Sequence, residues 1–193
     1  MNYTIAILVG STRTNRAGDR VGKLLEQILQ SRGHTVHLID PVKAPQLLYL
    51  QETSHHQDSP DESIRAISNK LTKSDGFLVI TPEYNHSFSG AIKNLLDMFM
   101  PEYEKKPFGI VSYSASMFGG IRANEAIRPV ISELDAIPTP QPLLISFVKK
   151  TIGEDATLLD QAYKKRIDIF LEDFFWYVQA LKQARREVVS SKE

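Results

Sequence analysis

Residues 77–81 read Phe-Leu-Val-Ile-Thr, a strand-length run that stays apolar almost to its end. A strand with one wet face alternates apolar and polar residues. A continuous apolar run is covered on both faces, as the inner strands of a parallel sheet are. Parallel neighbours cannot be joined by a tight hairpin; they need a crossover, usually a helix. The chain supplies such crossovers in order. Tyr3 to Val9, Thr35 to Ile39, Phe108 to Val111 and Leu143 to Val148 read as further strands. Between them apolar residues recur at one-face helical spacing: Val21, Leu24, Leu25, Ile28 and Leu29, then Ile64, Ile67 and Leu71. Ile92, Leu95, Leu96, Phe99 and Met100 follow, then Ala123, Ala126, Ile127, Val130, Ile131 and Leu134. A long last helix is traced from Leu158 to Leu181. This alternation predicts an α/β fold, a doubly wound five-stranded parallel sheet with helices on both faces.

Local signals set the boundaries. Gly33 and Pro101 stop two of the helices, and Ser89 is placed to cap the helix that follows it. Ser59-Pro60 opens another, with Asp61 and Glu62 in its first turn. Pro129 falls inside a helix and is expected to bend it. Residues 41–59 read as a long loop. The 193 residues suit one domain, 1–186, with a polar tail at 187–193.

Composition removes several kinds of function. Lys plus Arg total 23, as do Asp plus Glu, so the formal net charge is zero. Proteins that grip duplex nucleic acid through its phosphates carry a basic excess, and small acidic electron carriers carry the opposite one. There is no cysteine, which excludes disulfides, thiolate metal sites and Cys nucleophiles. The apolar run at the N-terminus is too short to span a membrane and lacks the flanks of a signal peptide. The expectation is a cytoplasmic protein whose partner is neither nucleic acid nor membrane.

In doubly wound sheets ligands bind beyond the C-terminal strand ends, where the strand order reverses. That rule selects three loops. The first, residues 10–17, carries Ser11, Thr12, Thr14 and Asn15 as short hydrogen bonders and Arg13 and Arg16 as cations, ahead of a helix N-terminus. Exposed N–H groups, helix dipole and guanidinium groups together suit a phosphate. The loop is neither GxxxxGK[ST] nor GxGxxG, so NTPase and dinucleotide fingerprints are absent. The second loop, Pro82-Glu-Tyr-Asn-His-Ser-Phe-Ser-Gly90, offers the Tyr84 face with Asn85 and Ser87, and Gly90 for close approach of a flat ligand. The third, residues 112–120, carries Ser112, Ser114, Ser116 and the Gly119-Gly120 pair.

With these residues in hand the chain resembles the NADPH-dependent FMN reductases of flavodoxin-like fold, which include azoreductase- and quinone-reductase-like members. The resemblance rests on GSTRTNR, PEYNHSFSGAIKNLLD and the SxS…FGG stretch, over residues 3 to about 147. It implies bound FMN, with Ser11, Arg13, Asn15 and Arg16, beside Thr12, on the phosphate. The flavin ring would lie against Pro82, Glu83, Tyr84, Asn85 and Ser87, and Ser114, Ser116, Gly119 and Gly120 would complete the pocket. It further implies hydride transfer from NADPH or NADH to FMN and on to a small-molecule acceptor (flavin, quinone or azo compound) in ping-pong order, with no side chain as acid or base. A homodimer or tetramer is expected, with Phe175, Trp176 and Tyr177 of the last helix as extra apolar surface. A flavodoxin-like electron carrier and a flavin-free scaffold are the alternatives. The remaining candidates read as surface features. His55-His56 is an exposed pair, His34 and His37 face solvent, and Lys93–Asp97 is a surface ion pair or an intersubunit contact.

Overall fold

The computed structural model describes residues 1–49 and 58–190, the last two without their side chains. The elements run β1 (Thr4–Val9), α1 (Gly18–Ser31), β2 (Thr35–Ile39), a 3-10 turn (Pro45–Leu48), α2 (Glu62–Lys73) and β3 (Gly76–Pro82). Then come α3 (Gly90–Met98), α4 (Met100–Tyr103), β4 (Pro107–Tyr113), α5 (Ile121–Glu133), β5 (Ile137–Pro138), β6 (Leu143–Ile145), α6 (Val148–Thr151) and α7 (Ala162–Ser190). The strands pair in parallel in the order β2-β1-β3-β4-β5, with β6 also on β4. This is the flavodoxin-like order.

Side chains alternate along each inner strand, and both alternating sets are buried. Ile5, Ile7, Val9, Leu78, Ile80 and Val111 pack under α1 and α7. Ala6, Leu8, Phe77, Val79, Phe108 and Ile110 pack under α2 to α5. The apolar run at 77–81 thus supplies residues to two cores, one on each face.

Several boundaries differ from the sequence reading. The fifth strand is two pieces: β5 pairs with Pro107–Phe108 and β6 with Val111–Tyr113 on the same edge of β4. Pro140 and Pro142 lie between the pieces and cannot donate to a ladder. Strand geometry ends at Ile145, not Val148, because Phe147 turns to a φ of 45° and opens α6. Asp61 caps α2 from outside, accepting from Ser63 N at 2.8 Å. The helix expected through Met100 breaks at Phe99, whose φ is −120°. Pro101 has no N–H for the carbonyl four residues back and its ring crowds it, so the break precedes the proline. α7 begins at Ala162, not Leu158, and continues through Arg186 into the expected tail, to Ser190. Phe175 stacks on His34 with ring centroids 4.3 Å apart, so His34 is half-buried and does not face solvent. Among the described residues no helix is long and apolar enough to cross a membrane. His55 and His56 lie outside the described residues.

Candidate functional site

The first loop leaves β1 through Gly10. Its N–H donates to Ile80 O at 2.8 Å, and its carbonyl accepts from the Ser89 hydroxyl. A Cβ on Gly10 would stand 2.7 Å from the Ile80 carbonyl oxygen, so only glycine lets the loop cross so close to β3 and α3. The same Ser89 hydroxyl accepts from Ile92 N at 3.4 Å, capping α3 as its position predicted. Among the described residues, the backbone N–H groups of Ser11 to Asn15 donate to no acceptor. Ala17, the N-cap of α1, offers no side-chain bond to the helix either. Asn15 takes a φ of 54°, a left-handed turn that asparagine tolerates. The loop is therefore a row of open donors at the positive end of a 14-residue helix.

The two arginines part company. Arg16 forms a bidentate pair with Asp40, one arm at 2.7 Å, and also donates to the carbonyl of Ser11. Its side chain is 11% exposed and that of Asp40 only 4%. The bond to Asp40 holds its pKa above the ordinary value. Its charge is compensated, and it braces the loop from behind. Arg13 is exposed and its guanidinium carbon lies over the Tyr84 ring, 3.9 Å from the centroid, bridging the first loop to the second.

The second loop is a tight hairpin. Tyr84 N donates to Ser87 O at 2.9 Å and Ser87 N returns to Tyr84 O at 3.0 Å. Asn85 and His86 both have positive φ, 49° and 65°, as a type I′ turn requires. Glu83 accepts from the guanidinium of Arg122 at 3.1 Å and from its N–H at 3.2 Å.

A cleft of about 440 Å³ opens between these loops. Of the sequence candidates, Arg13, Asn15, Arg16, Pro82, Glu83, Tyr84 and Ser114 line it. Thr12 lines an adjoining recess that shares Arg13, Thr14, Asn15 and Arg16 with the cleft and adds Asp19 and Val42. Asn85 and Ser87 build the hairpin tip and do not line the cleft. Nor does Ser116, whose N–H and hydroxyl meet the Ser114 hydroxyl at 3.3 and 3.1 Å. Gly119 and Gly120 are buried below the third loop at φ 60° and 83°. A Cβ there would stand 3.1 Å from Ile145 N or 2.8 Å from Tyr113 N. They let the loop lie on β4 and β6 and do not touch the cleft. Ser11 is buried under its own loop. Nothing lies within 4 Å of a Cβ built on Gly90, so no close approach demands glycine there.

Sequence reasoning missed the rest of the lining. Tyr113 closes the floor, and burial pushes its hydroxyl pKa up. The Tyr113 and Ser11 hydroxyls are both buried side by side beneath the first loop against Gly18, with no polar partner beyond each other. Phe147, Val148, Lys149 and Lys150, after β6, form the far wall. Two lysines directly after a strand at the ligand-binding edge were the available signal.

The orphaned donors, the helix N-terminus and the aromatic wall fit a planar ligand with a phosphate at one end. Residues 3–149 match the family described as NADPH-dependent FMN reductase. A quinone reductase of Pseudomonas putida is 26% identical over 182 residues, covering 92% of this chain and 95% of the relative. A 2-hydroxy-1,4-benzoquinone reductase of a Burkholderia species is 29% identical over 185 residues, covering 93% and 98%. Among solved structures, FerB of Paracoccus denitrificans, a flavoenzyme NAD(P)H:(acceptor) oxidoreductase, superposes with a TM-score of 0.70 at 21% identity, covering 94% and 98%. This chain belongs to the NADPH-dependent FMN reductase family.

Proposed function

We propose that this member of the family binds FMN in the cleft at the C-terminal edge of its sheet and carries hydride from a nicotinamide dinucleotide to a quinone-like acceptor. The observation that carries the reading is the first loop: five consecutive unengaged N–H groups beside the uncompensated Arg13, opening onto a cleft walled by Tyr84. In this assignment Ser11 to Asn15 and Arg13 hold the phosphate, while Arg16, tied to Asp40, shapes the loop. Pro82 and Tyr84 flank the ring, the hairpin of Asn85 and Ser87 frames its polar edge, and the Glu83–Arg122 pair fixes the strand exit. Gly119 and Gly120 set the height of the third loop, with Ser114 at its lip. FMN, when bound, supplies the hydride chemistry. The protein binds, orients and excludes water, and no side chain is assigned as acid or base. With no dinucleotide fingerprint in the sequence and both substrates assigned to this cleft, turnover is ping-pong. The acceptors named for the relatives, quinones and a hydroxybenzoquinone, set the class to test first.

The deciding experiment is an absorbance spectrum of the purified, FMN-supplied protein before and after anaerobic NADPH. Bleaching of a bound flavin, restored by quinone, is expected. A protein that retains no flavin would overturn the reading. Parallel double-reciprocal lines with varied quinone then test the ping-pong order; intersecting lines would demand a ternary complex. We read the working form as a cytoplasmic homodimer or tetramer. Phe175 is absorbed within the chain, but Trp176 and Ile169, seven residues apart on α7, remain 65% and 44% exposed. Light scattering at 21.8 kDa, unchanged by FMN, would exclude that form.

A further inference from the structure

Phe147 is a bulky aromatic at a φ of 45°, a conformation rarely adopted by any residue but glycine, asparagine or aspartate. The backbone around it is pinned from several sides. Its N–H donates to Ser116 O at 3.0 Å, and its carbonyl accepts from Lys150 N at 2.7 Å. Val148 N donates to Ser114 O at 3.1 Å, and Ser146 N to the Tyr163 hydroxyl at 2.9 Å. The ring this arrangement presents packs into neither core: it is 45% exposed and lines the cleft. Strain that the surroundings over-determine, spent on exposing an aromatic ring beside a binding cleft, marks a functional position.

The charge of the same segment points the same way. The chain is neutral overall. Within the cleft Arg16 is matched by Asp40, and Glu83 by Arg122. Arg13, Lys149 and Lys150 line the cleft and form no ion pair among the described residues. Lys150 stands 5.6 Å over the Phe147 ring, so one loop presents a flat apolar face and two cations together. A flavin phosphate engages the first loop, which leaves β1, whereas residues 146–150 leave β6, separated from β1 in the sheet by β3 and β4. The charge on the far wall is left for the second ligand.

We infer that residues 146–150 form the recognition element for the second ligand, selecting planar aromatic molecules that carry negative charge. Phe147 receives the ring and Lys149 and Lys150 the anionic group. Both the dinucleotide, through its phosphates, and an ionised hydroxyquinone have this chemistry. The inference rests on the flavin reading above and deepens it.

The test is titration of the oxidised, FMN-loaded protein with ligands that do not react with it, followed by calorimetry. The probes are 2-hydroxy-1,4-naphthoquinone, an anion at neutral pH, against the neutral 2-methyl-1,4-naphthoquinone, and NADP+ against NAD+. Lys149→Ala with Lys150→Ala is expected to weaken an anionic probe about fivefold or more and the neutral quinone less than twofold. The quinone arm and the dinucleotide arm show which ligand the lysines serve. Phe147→Gly removes the ring and relieves the backbone. It is expected to weaken the quinones about three- to tenfold while leaving the melting temperature at or above the parent's. Equal affinities for all four probes in both variants, with FMN still bound, would overturn the inference and leave the flavin reading standing. So would a Phe147→Gly protein that loses stability, or changes its mass, with probe affinity intact. Loss of FMN itself in the parent would instead sink the reading beneath it.

Discussion

At the N-terminal end of the strands, Asp75 accepts from Thr4 N at 3.0 Å and from Lys182 at 2.7 Å. Arg185 donates to the carbonyls of Lys105 at 2.7 Å and Asp75 at 3.3 Å. The Lys106 ammonium, which burial lowers to a pKa of about 8, spends its protons on the carbonyls of Leu71, Thr72 and Glu102 at 3.1, 2.8 and 2.8 Å. At the C-terminal end, among the described residues, five backbone donors have no acceptor, two buried hydroxyls have no partner beyond each other, and three cations form no ion pair. Both ends terminate the same strands, and both carry basic residues. The difference is that one end compensates its polar groups within the chain and the other leaves them facing a cleft. Glu102 and Thr139 qualify the contrast: Glu102 Oε1 accepts from Ser68, but its Oε2 is buried without a partner, as is the Thr139 hydroxyl beside Phe108 at the start of β4. Uncompensated groups cost stability in the free protein and return it when a ligand arrives.

Arg16 is the residue that breaks the division, since it sits at the open end and is wired like the closed one. Arg16→Met leaves Asp40 buried without its partner and the Ser11 carbonyl without its donor. Breaking such a pair costs about 3–5 kcal/mol, and urea unfolding of the apoprotein should show it. Restoring most of that stability with Asp40→Leu added would confirm a bracing role. An unchanged midpoint in the single variant would return Arg16 to the phosphate. At the other end Asp75→Ala strips an acceptor from Thr4 N and from Lys182. Partial exposure of this pair keeps the expected cost to about 2 kcal/mol. FMN affinity of the folded fraction should not move, because the change lies at the far end of the strands. A flavin defect there would show that the two ends are coupled.

Arg13→Ala sharpens the comparison from the open side. It removes an uncompensated cation, so the apoprotein should unfold at the parent's midpoint or slightly above. FMN should weaken by about 1.5–2 kcal/mol, more than tenfold, through loss of a charge-assisted bond. Riboflavin lacks the phosphate and should weaken much less. Equal losses for both ligands would assign Arg13 to the ring, through its stacking on Tyr84, in place of the phosphate.

These contrasts were partly readable in advance, and what could be read was local. Continuous apolar runs at 3–9, 77–81 and 108–111 located the inner strands, and the short polar loops after them located the cleft. Ser89 was identifiable as a cap because capping depends on the few residues that follow it. Arg16 was not separable from Arg13, because its partner Asp40 comes from the end of another strand and nothing near Arg16 announces it. The left-handed Phe147 carries no local signature; tertiary hydrogen bonds to Ser114, Ser116 and Tyr163 impose it. The resemblance placed Gly119 and Gly120 in the flavin pocket, but whether a glycine admits a ligand or another strand depends on packing.

His34 gives the smallest effect and tests whether the closed end is tuned by burial alone. The ring stacks on Phe175 and beside Tyr3, in a cluster of three rings, and accepts from Tyr3 N through Nδ1 at 3.3 Å, so its neutral form is the one the fold uses. Burial, then the N-terminal amine and Arg32, lower its pKa below the ordinary 6.5. His37 is lowered in the same direction by burial, Lys70 and Lys73. For both groups the unfolded chain takes up the proton first as pH falls. The stability they contribute is therefore present above about pH 6.5 and lost as pH drops through the folded values. The urea midpoint of the parent should decline between pH 7 and 5.5. His34→Gln, which keeps an acceptor for Tyr3 N, should flatten that decline in part, and adding His37→Gln should flatten it further. FMN affinity measured at the same pH values should be the same in parent and variants, since both imidazoles lie away from the cleft. An unaltered acid slope in the double variant would mean that carboxylates, not these two rings, set the acid limit of the fold.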